Sequence, residues 1–398
     1  MKVLLVSSLY YPLIVGGAEV STQLLAESLV RYYDLEVHVL TTGESDCDEV
    51  VNKVYVHRRR MTNIYSFWKF KHESNFGSRV IYKFLDFYSY ANKAIIRTIL
   101  QDINPDIVHV NNIYGFSPVI WSVPSSYGIP VINTYRDYFM MCPRANLMSN
   151  GKICNNPNVA CRIYRNLFKH FLKPVAIHVA ISKAVQRVLY DTLQIESEVI
   201  YNSIDVDYDL FQRCYENKKN HKKGTVKFVY VGGLIPTKGV LELSKEFARM
   251  NEANVELHIL GEGILRGEIE QLECKDIILH GFVSGEEKKA ILSQMDVAIC
   301  PSLWNEPFGR VVIEAYQYAL PVIGSAMGGI PELIGENTGM LFDPYEPKML
   351  ANTLHYYAKE WDGLSEASFQ EMKELLKKFD IQKQVESYYQ LYRELIKG

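Results

Sequence analysis

A chain of 398 residues, 48% hydrophobic and 22% charged, is long enough for two domains with a core each. Its net charge of −3 argues against strong nucleic-acid binding, and no apolar run approaches the roughly 20 residues of a membrane span. Seven cysteines, an odd count without a secretory pattern, argue against a disulfide scaffold.

Charge is unevenly spread. Residues 1–205 carry 21 Lys and Arg against 17 Asp and Glu, and the remainder 22 against 29. A mildly basic first half suits an anionic membrane surface or a lipid-phosphate acceptor. The opening run Met1 to Val6 reads as a first strand and not as a signal peptide, so the expected location is cytoplasmic, with peripheral attachment to the inner membrane face as its extension.

Residues 2–7 form a continuous apolar strand, the pattern of a strand covered on both faces. Gly16-Gly17-Ala18-Glu19 then precedes a helix with apolar positions Val20, Leu24, Leu25, Leu29 and Val30. Strands follow at 35–41 and 54–58, the second running into the basic His57-Arg58-Arg59-Arg60. Residues 64–97 interleave aromatics with lysines, which fits either helices packed on the sheet or an interfacial segment. The strand 106–111 ends in polar residues at its carboxyl tip, where open parallel sheets carry their sites. His109 there is either a hydrogen-bonded core residue or part of the site. Strand 130–134 leads into Tyr135-Arg136-Asp137. Residues 142–162 read as an irregular loop whose Cys142, Cys154 and Cys161 lack a tight zinc-knuckle spacing, which favours buried thiols over structural zinc. In 162–173 cations and apolar residues interleave at helical spacing, as in an ordinary amphipathic helix or a membrane-facing one. A strand at 175–180, a helix capped by Ser182, and a polar linker at 216–224 complete this half.

The second half repeats strand, glycine turn and helix. Strand 226–231 enters Gly232-Gly233-Leu234-Ile235-Pro236-Thr237-Lys238-Gly239, a turn suited to a diphosphate. Strand 255–260 enters Gly261-Glu262-Gly263. Strand 277–282 is followed by Ser284, which caps a helix over 286–294. The apolar run 296–300 leads into the stretch that organises this half, Pro301-Ser302-Leu303-Trp304-Asn305-Glu306-Pro307-Phe308-Gly309-Arg310, with a helix over 310–319 bearing Glu314. First-turn amides of a helix attract phosphate, and Glu306 and Glu314 can accept hydrogen bonds from sugar or ribose hydroxyls. The alternative is a plain strand–turn–helix with two surface glutamates. Strands at 321–324 and 338–342 follow. Helices run from 346 onward, and Phe379-Asp380 separates the last, 381–396, from its predecessor.

The run Glu306-Pro307-Phe308-Gly309, with Glu314-Ala315 and then Gly328-Gly329-Ile330-Pro331-Glu332, resembles the Glu-x7-Glu motif of the retaining family-four glycosyltransferases. The resemblance covers nearly the whole chain, more tightly in its second half. It implies an α/β fold of the GT-B type: two Rossmann-like βαβ domains facing across a cleft, with a C-terminal helix crossing back to the first. The implied domains are an acceptor-binding one, 1–205 with helix 381–398, and a donor-binding one, 206–380. The implied reaction moves a sugar, with retention, from a nucleoside diphosphate sugar to a hydroxyl of a glycan or lipid-linked saccharide. That sugar nucleotide is a co-substrate, and no metal or other cofactor is implied.

The resemblance also assigns roles. Lys238, and the amides around Phe308, Gly309 and Arg310, would hold the diphosphate. Glu314 would hold the ribose and Glu306 a hydroxyl of the donor sugar. Gly16, Gly17, Gly233, Gly261 and Phe282 would border the donor. His109, Arg136 and Asp137 would lie on the acceptor side. Besides Ser203, which replaces glycine in Asn202-Ser203-Ile204-Asp205, a segment that resembles the family's Asn-Gly-Ile-Asp hinge, two positions depart from the family pattern in ways that bear on the chemistry. Arg136 stands where a histidine is usual, and an arginine cannot exchange a proton near neutral pH. Gly233 stands where an arginine is usual, removing one cation from the diphosphate. These departures motivate a second reading, a nucleotide-sugar-binding protein with lost activity; an epimerase on the same fold is a third. Partners are thus a sugar nucleotide, a saccharide acceptor and an anionic membrane surface reached through 57–71 and 162–173, with no nucleic acid.

Overall fold

The computed structural model describes residues 1–398 apart from 15, 62–88, 150, 220–223, 251, 347 and 398. Most of the aromatic and basic segment 64–97, and residues 62–71 of the first expected membrane stretch, lie outside the described residues. The chain forms two compact units. One comprises Met1–Ala145, Asn156–Asn202 and Ile381–Gly398, the other Asn146–Asn155 and Ser203–Asp380.

The first unit is built on β1 (Lys2–Ser7), β2 (Glu36–Thr42), β3 (Cys47–Val51), β4 (Val54–Arg59), β5 (Ile107–Val110), β6 (Val131–Tyr135), β7 (Ile177–Ala180) and β8 (Glu198–Val199). They lie in the order β8-β7-β6-β5-β1-β2-β4-β3. Every pairing is parallel except β3 with β4. β1 is central, and Val3, Leu4, Leu5 and Val6 have no exposed surface, as the unbroken apolar run requires. The helix Gly17–Tyr33 covers one face, its start fixed by Glu19, whose carboxylate accepts the Gly16 amide at 2.8 Å. The last helix, Ile381–Lys397, belongs to this unit. Its Ile381, Val385, Tyr388, Leu391 and Tyr392 join the core that contains Leu25, Ala26 and Leu29.

The second unit is an all-parallel sheet of β9 (Val226–Val231), β10 (Val255–Leu260), β11 (Ile277–Gly281), β12 (Val297–Cys300), β13 (Val322–Ser325) and β14 (Gly339–Phe342). Its order is β11-β10-β9-β12-β13-β14. In each sheet the first strand has its sequence successor on one side and a later strand on the other. That reversal places a ligand crevice at the carboxyl ends of the strands flanking it, so the loops after β9 and β12 are the ones to examine in this unit.

The two sheets share a further device. In the first, His38 Nδ1 meets His57 Nε2 on the neighbouring strand at 2.9 Å, and His38 Nε2 meets Glu36 at 3.0 Å. In the second, His258 Nδ1 meets His280 Nε2 at 2.9 Å, and His258 Nε2 meets Glu256 at 3.1 Å. The segments that carry these pairs, Leu35-Glu36-Val37-His38-Val39-Leu40 and Val255-Glu256-Leu257-His258-Ile259-Leu260, match in pattern.

Several expectations are corrected. The edge strand β3 was not foreseen, because Cys47-Asp48-Glu49 is polar. It is an exposed antiparallel edge, and its acids answer the basic run: Arg58 Nε donates to Glu49 at 2.6 Å, and Arg59 and His57 pair with Asp48. Residues 142–162 are not wholly irregular. Met148–Ser149 pairs with Lys152–Ile153, and the helix Val159–Phe171 contains Cys161. Cys142, Cys154 and Cys161 are free and only partly buried, not buried thiols. No group of three metal-capable side chains occurs among the described residues. The expected linker at 216–224 begins inside the helix Tyr208–Lys218, which buries Lys218 with its ammonium against Ser293 O. Ser284 stands at the start of its helix but makes no side-chain cap, whereas Ser182 accepts the Val185 amide at 3.1 Å. No described helix is long and apolar enough to cross a membrane.

Candidate active site

In the second unit two turns meet where β9 and β12 end. Pro236–Lys238 forms a short 3-10 turn closed by Gly239 at φ +69°. A Cβ on Gly239 would sit 2.0 Å from Pro301 O, and Leu303 N donates to Thr237 O at 2.9 Å. Glycine is therefore required at 239 both by conformation and by the contact between the two turns. The contact carries Lys238 onto Glu306. Its ammonium donates to Glu306 Oε2 at 2.7 Å, and the same oxygen accepts Ser302 Oγ at 3.0 Å and Trp304 Nε1 at 2.9 Å. The ammonium also lies 5.3 Å from the Trp304 ring centre. Burial works against the charge on Lys238, but the adjacent Glu306 carboxylate outweighs it and holds the ammonium above its ordinary range. Behind them, burial and then the charge of Glu306 push the Cys300 thiol up to about 12, so it stays protonated.

The Gly328-Gly329 pair supports this corner. A Cβ on Gly328 would meet Glu306 O at 2.2 Å, and Gly329 N donates to that carbonyl at 2.7 Å. The downstream glycines of the motif are thus explained by backbone lying on backbone.

Glu314, on the helix Arg310–Tyr316, accepts Arg310 Nε at 2.8 Å and Lys288 Nζ at 3.1 Å, one on each oxygen. Burial alone would raise its pKa; the two cations overcome it and keep the carboxylate ionised. Other expected donor residues separate into kinds. The ring of Phe308 is buried and packs edge-on to Phe379 at 5.7 Å. Phe282 is 79% exposed beyond β11. A Cβ on Gly261 would lie 1.9 Å from Gly232 O, while one on Gly233 would meet nothing nearer than Glu262 O at 4.0 Å. Position 233 therefore has room for a Cβ.

The first unit gathers a different set. Arg136 follows β6 and is 5% exposed. Its Nε donates to Asn111 Oδ1 at 2.9 Å and its Nη1 to Asn202 Oδ1 at 2.5 Å. Asp137 accepts the Phe139 amide at 2.8 Å; burial pushes its carboxyl up to about 6, with that amide opposing and Glu19 adding to the rise. Gly16 and Gly17 are both exposed. His109 is fully buried. Its Nδ1 meets Tyr392 OH at 2.6 Å and its Nε2 meets Thr134 Oγ1 at 2.7 Å, and Thr134 in turn meets Tyr388 OH at 2.9 Å. Burial, and then the charge of Arg136, hold this imidazole neutral, well below its ordinary pKa. With both ring nitrogens engaged by Tyr392 and Thr134, His109 is a hydrogen-bonded core residue.

Ser302, Trp304, Lys288, Asn111 and Asn202 complete these clusters and were not singled out from the sequence. Trp304 and Ser302 lie inside the motif stretch and could have been read as partners of Glu306. Lys288 carries no local signal, whereas Asn202 opens the segment Asn202-Ser203-Ile204-Asp205.

The fold and these clusters define a class, the GT-B glycosyltransferases. Residues 15–208 match the family described as Glycosyltransferase Family 4, and residues 212–373 match Glycosyl transferases group 1. The chain belongs to this family-four kind of glycosyltransferase. It is 28% identical over 342 residues to an uncharacterized 42.6 kDa protein in the cps region of Klebsiella pneumoniae, covering 84% of this chain and 87% of that one. It is 24% identical to the putative teichuronic acid biosynthesis glycosyltransferase TuaC of Bacillus subtilis (strain 168), covering 76% and 75%. Among solved structures, sucrose-phosphate synthase from Thermosynechococcus elongatus superposes with a TM-score of 0.73 at 19% identity, covering 99% and 98%. Anabaena HepE in complex with UDP-glucose gives 0.67 at 17%, covering 99% and 100%.

Proposed function

We propose that this glycosyltransferase moves a sugar from a nucleoside diphosphate sugar to a hydroxyl of a glycan or lipid-linked saccharide, with retention and without a metal, in the synthesis of a polysaccharide or glycolipid. The observation that carries this reading is the Lys238–Glu306 pair, braced by Ser302 and Trp304 at the strand reversal of the second sheet. The relatives in a cps region and in teichuronic acid biosynthesis support the polysaccharide setting, and the UDP-glucose complex of HepE supports the donor class.

In this reading the Lys238 ammonium and the amides at 308–310 take the leaving diphosphate, which fixed cationic and amide donors can stabilise. Glu306 accepts a hydroxyl of the donor sugar and Glu314 the ribose hydroxyls. The bond from the anomeric carbon to the phosphate oxygen breaks, and the bond to the acceptor oxygen forms on the same face. The acceptor proton goes to the departing phosphate. Arg136 binds and orients and carries no proton, since a guanidinium stays charged.

The test is a melting-temperature screen with UDP-, GDP- and dTDP-sugars, followed by an assay of released nucleoside diphosphate with a saccharide acceptor. A stabilising sugar nucleotide and acceptor-dependent diphosphate release are expected. Stabilisation with no release on any acceptor would instead favour a binding protein without activity, and conversion of the sugar nucleotide with no release would favour an epimerase.

A further inference from the structure

Residues 138–190 hold eight Lys and Arg and not one Asp or Glu. The helix Val159–Phe171 lies within this stretch and presents an unusual outer face. Val159, Ile163 and Leu167, spaced four apart and so stacked in one row, are 70%, 57% and 41% exposed. The inner face, with Tyr164 and Phe168, is buried. Beside the apolar row stand Arg162 and Lys169, both exposed. Next to the helix end a hollow of about 220 Å³ is lined by Pro118, Val119, Phe171 and Pro174 together with His170 and Lys173. The helix Lys183–Leu193 packs alongside and adds exposed Arg187 and Tyr190.

The contrast with the other basic run sharpens the point. Arg58 and Arg59 are neutralised by Glu49 and Asp48 on β3. Arg162, Lys169, Lys173 and Arg187 form no ion pair with any carboxylate among the described residues. A surface that only needed to be soluble would intersperse both signs and bury its isoleucine.

We propose that this face docks on an anionic lipid bilayer: Val159, Ile163 and Leu167 enter the headgroup boundary while Arg162, Lys169, Lys173 and Arg187 meet lipid phosphates. Apolar contact with flanking cations is the combination that holds an amphipathic helix at such an interface, and each cation adds to attraction for an anionic leaflet. Docking is independent of the sugar transfer, so its test does not use activity.

The full-length protein is sedimented with vesicles of phosphatidylglycerol and phosphatidylcholine in equal parts, and with phosphatidylcholine alone. Binding is expected to the mixed vesicles only, and to weaken as salt is raised. The variant Arg162→Gln/Lys169→Gln/Lys173→Gln should bind about a hundredfold more weakly, and Ile163→Ser/Leu167→Ser about tenfold. All of these side chains are exposed, so both variants should melt with the parent. Absence of binding to the mixed vesicles, or binding by both variants as tight as the parent's, overturns the proposal. So does a concentration-dependent dimer that Ile163→Ser/Leu167→Ser dissolves, because a second copy of the chain would then be what covers the row.

Discussion

The two units solve the placement of charge in opposite ways. In the second, each candidate carboxylate meets a cation: Lys238 on Glu306, Arg310 and Lys288 on Glu314. In the first, the guanidinium of Arg136 is gripped by the side-chain amides of Asn111 and Asn202, and the carboxyl of Asp137 is pushed towards its neutral form. Ion pairs in the second unit position these side chains before any ligand arrives, which suits the binding of an anion whose charge grows as it leaves. Amides hold Arg136 in place without spending its charge on a carboxylate at those two contacts.

The sharpest way to break this comparison is to remove the ammonium. Lys238→Ala should lower the rate of diphosphate release by about a hundred- to a thousandfold, the usual loss for one electrostatic donor at a leaving group. Glu306→Ala should do comparable damage by freeing both the lysine and the sugar hydroxyl. Circular dichroism and melting should show both variants folded, since neither side chain is a core apolar group. Steady-state turnover close to the parent's in both would remove the site from the second unit altogether.

Two smaller effects sharpen the comparison. Glu314→Gln should raise KM for the sugar nucleotide by about tenfold with less change in kcat, because a ribose contact is made equally before and during reaction. Gly233→Arg should act in the opposite sense. The position has room for a Cβ, and a second cation on the diphosphate should tighten donor binding by about tenfold, the worth of one charged hydrogen bond. Steady-state kinetics checks the first, and titration calorimetry with the sugar nucleotide checks the second. Weaker binding by the arginine variant would mean that glycine at 233 is itself required.

Legibility differed between the units for the same reason. Arg310 and Glu314 are one helical turn apart, and Lys238 meets Glu306 because the strands before them are neighbours. The first contact follows from helical spacing and is legible in a short run of sequence; the second joins positions 68 apart and follows from the parallel strand order. The surroundings of Arg136 come from β5, β6, the segment before Ser203 and, through His109 and Thr134, from Tyr392 and Tyr388 on the last helix. No local pattern joins residues more than 250 positions apart. The alternation of apolar strands and glycine turns was enough for both sheets, whereas β3 escaped because an exposed antiparallel edge carries no apolar period.

The gentlest probe of the first unit is pH. Asp137 has its pKa raised from 3.8 to about 6, by burial first. Between those values the folded protein holds this proton more tightly than the unfolded chain does. Stability must therefore fall as pH rises from about 4 to about 6 and level off above. A shift of this size corresponds to about 3 kcal/mol at most. Asp137→Asn keeps an oxygen for the Phe139 amide and removes the charge, so it should raise the melting temperature by a few degrees at pH 7 and by almost nothing at pH 4. If turnover falls in this variant while melting rises, the carboxyl is kept for its contact with the acceptor at a cost in stability. A melting temperature that drops equally at both pH values would place Asp137 among the structural residues, and the contrast between the two units would then rest on Arg136 alone.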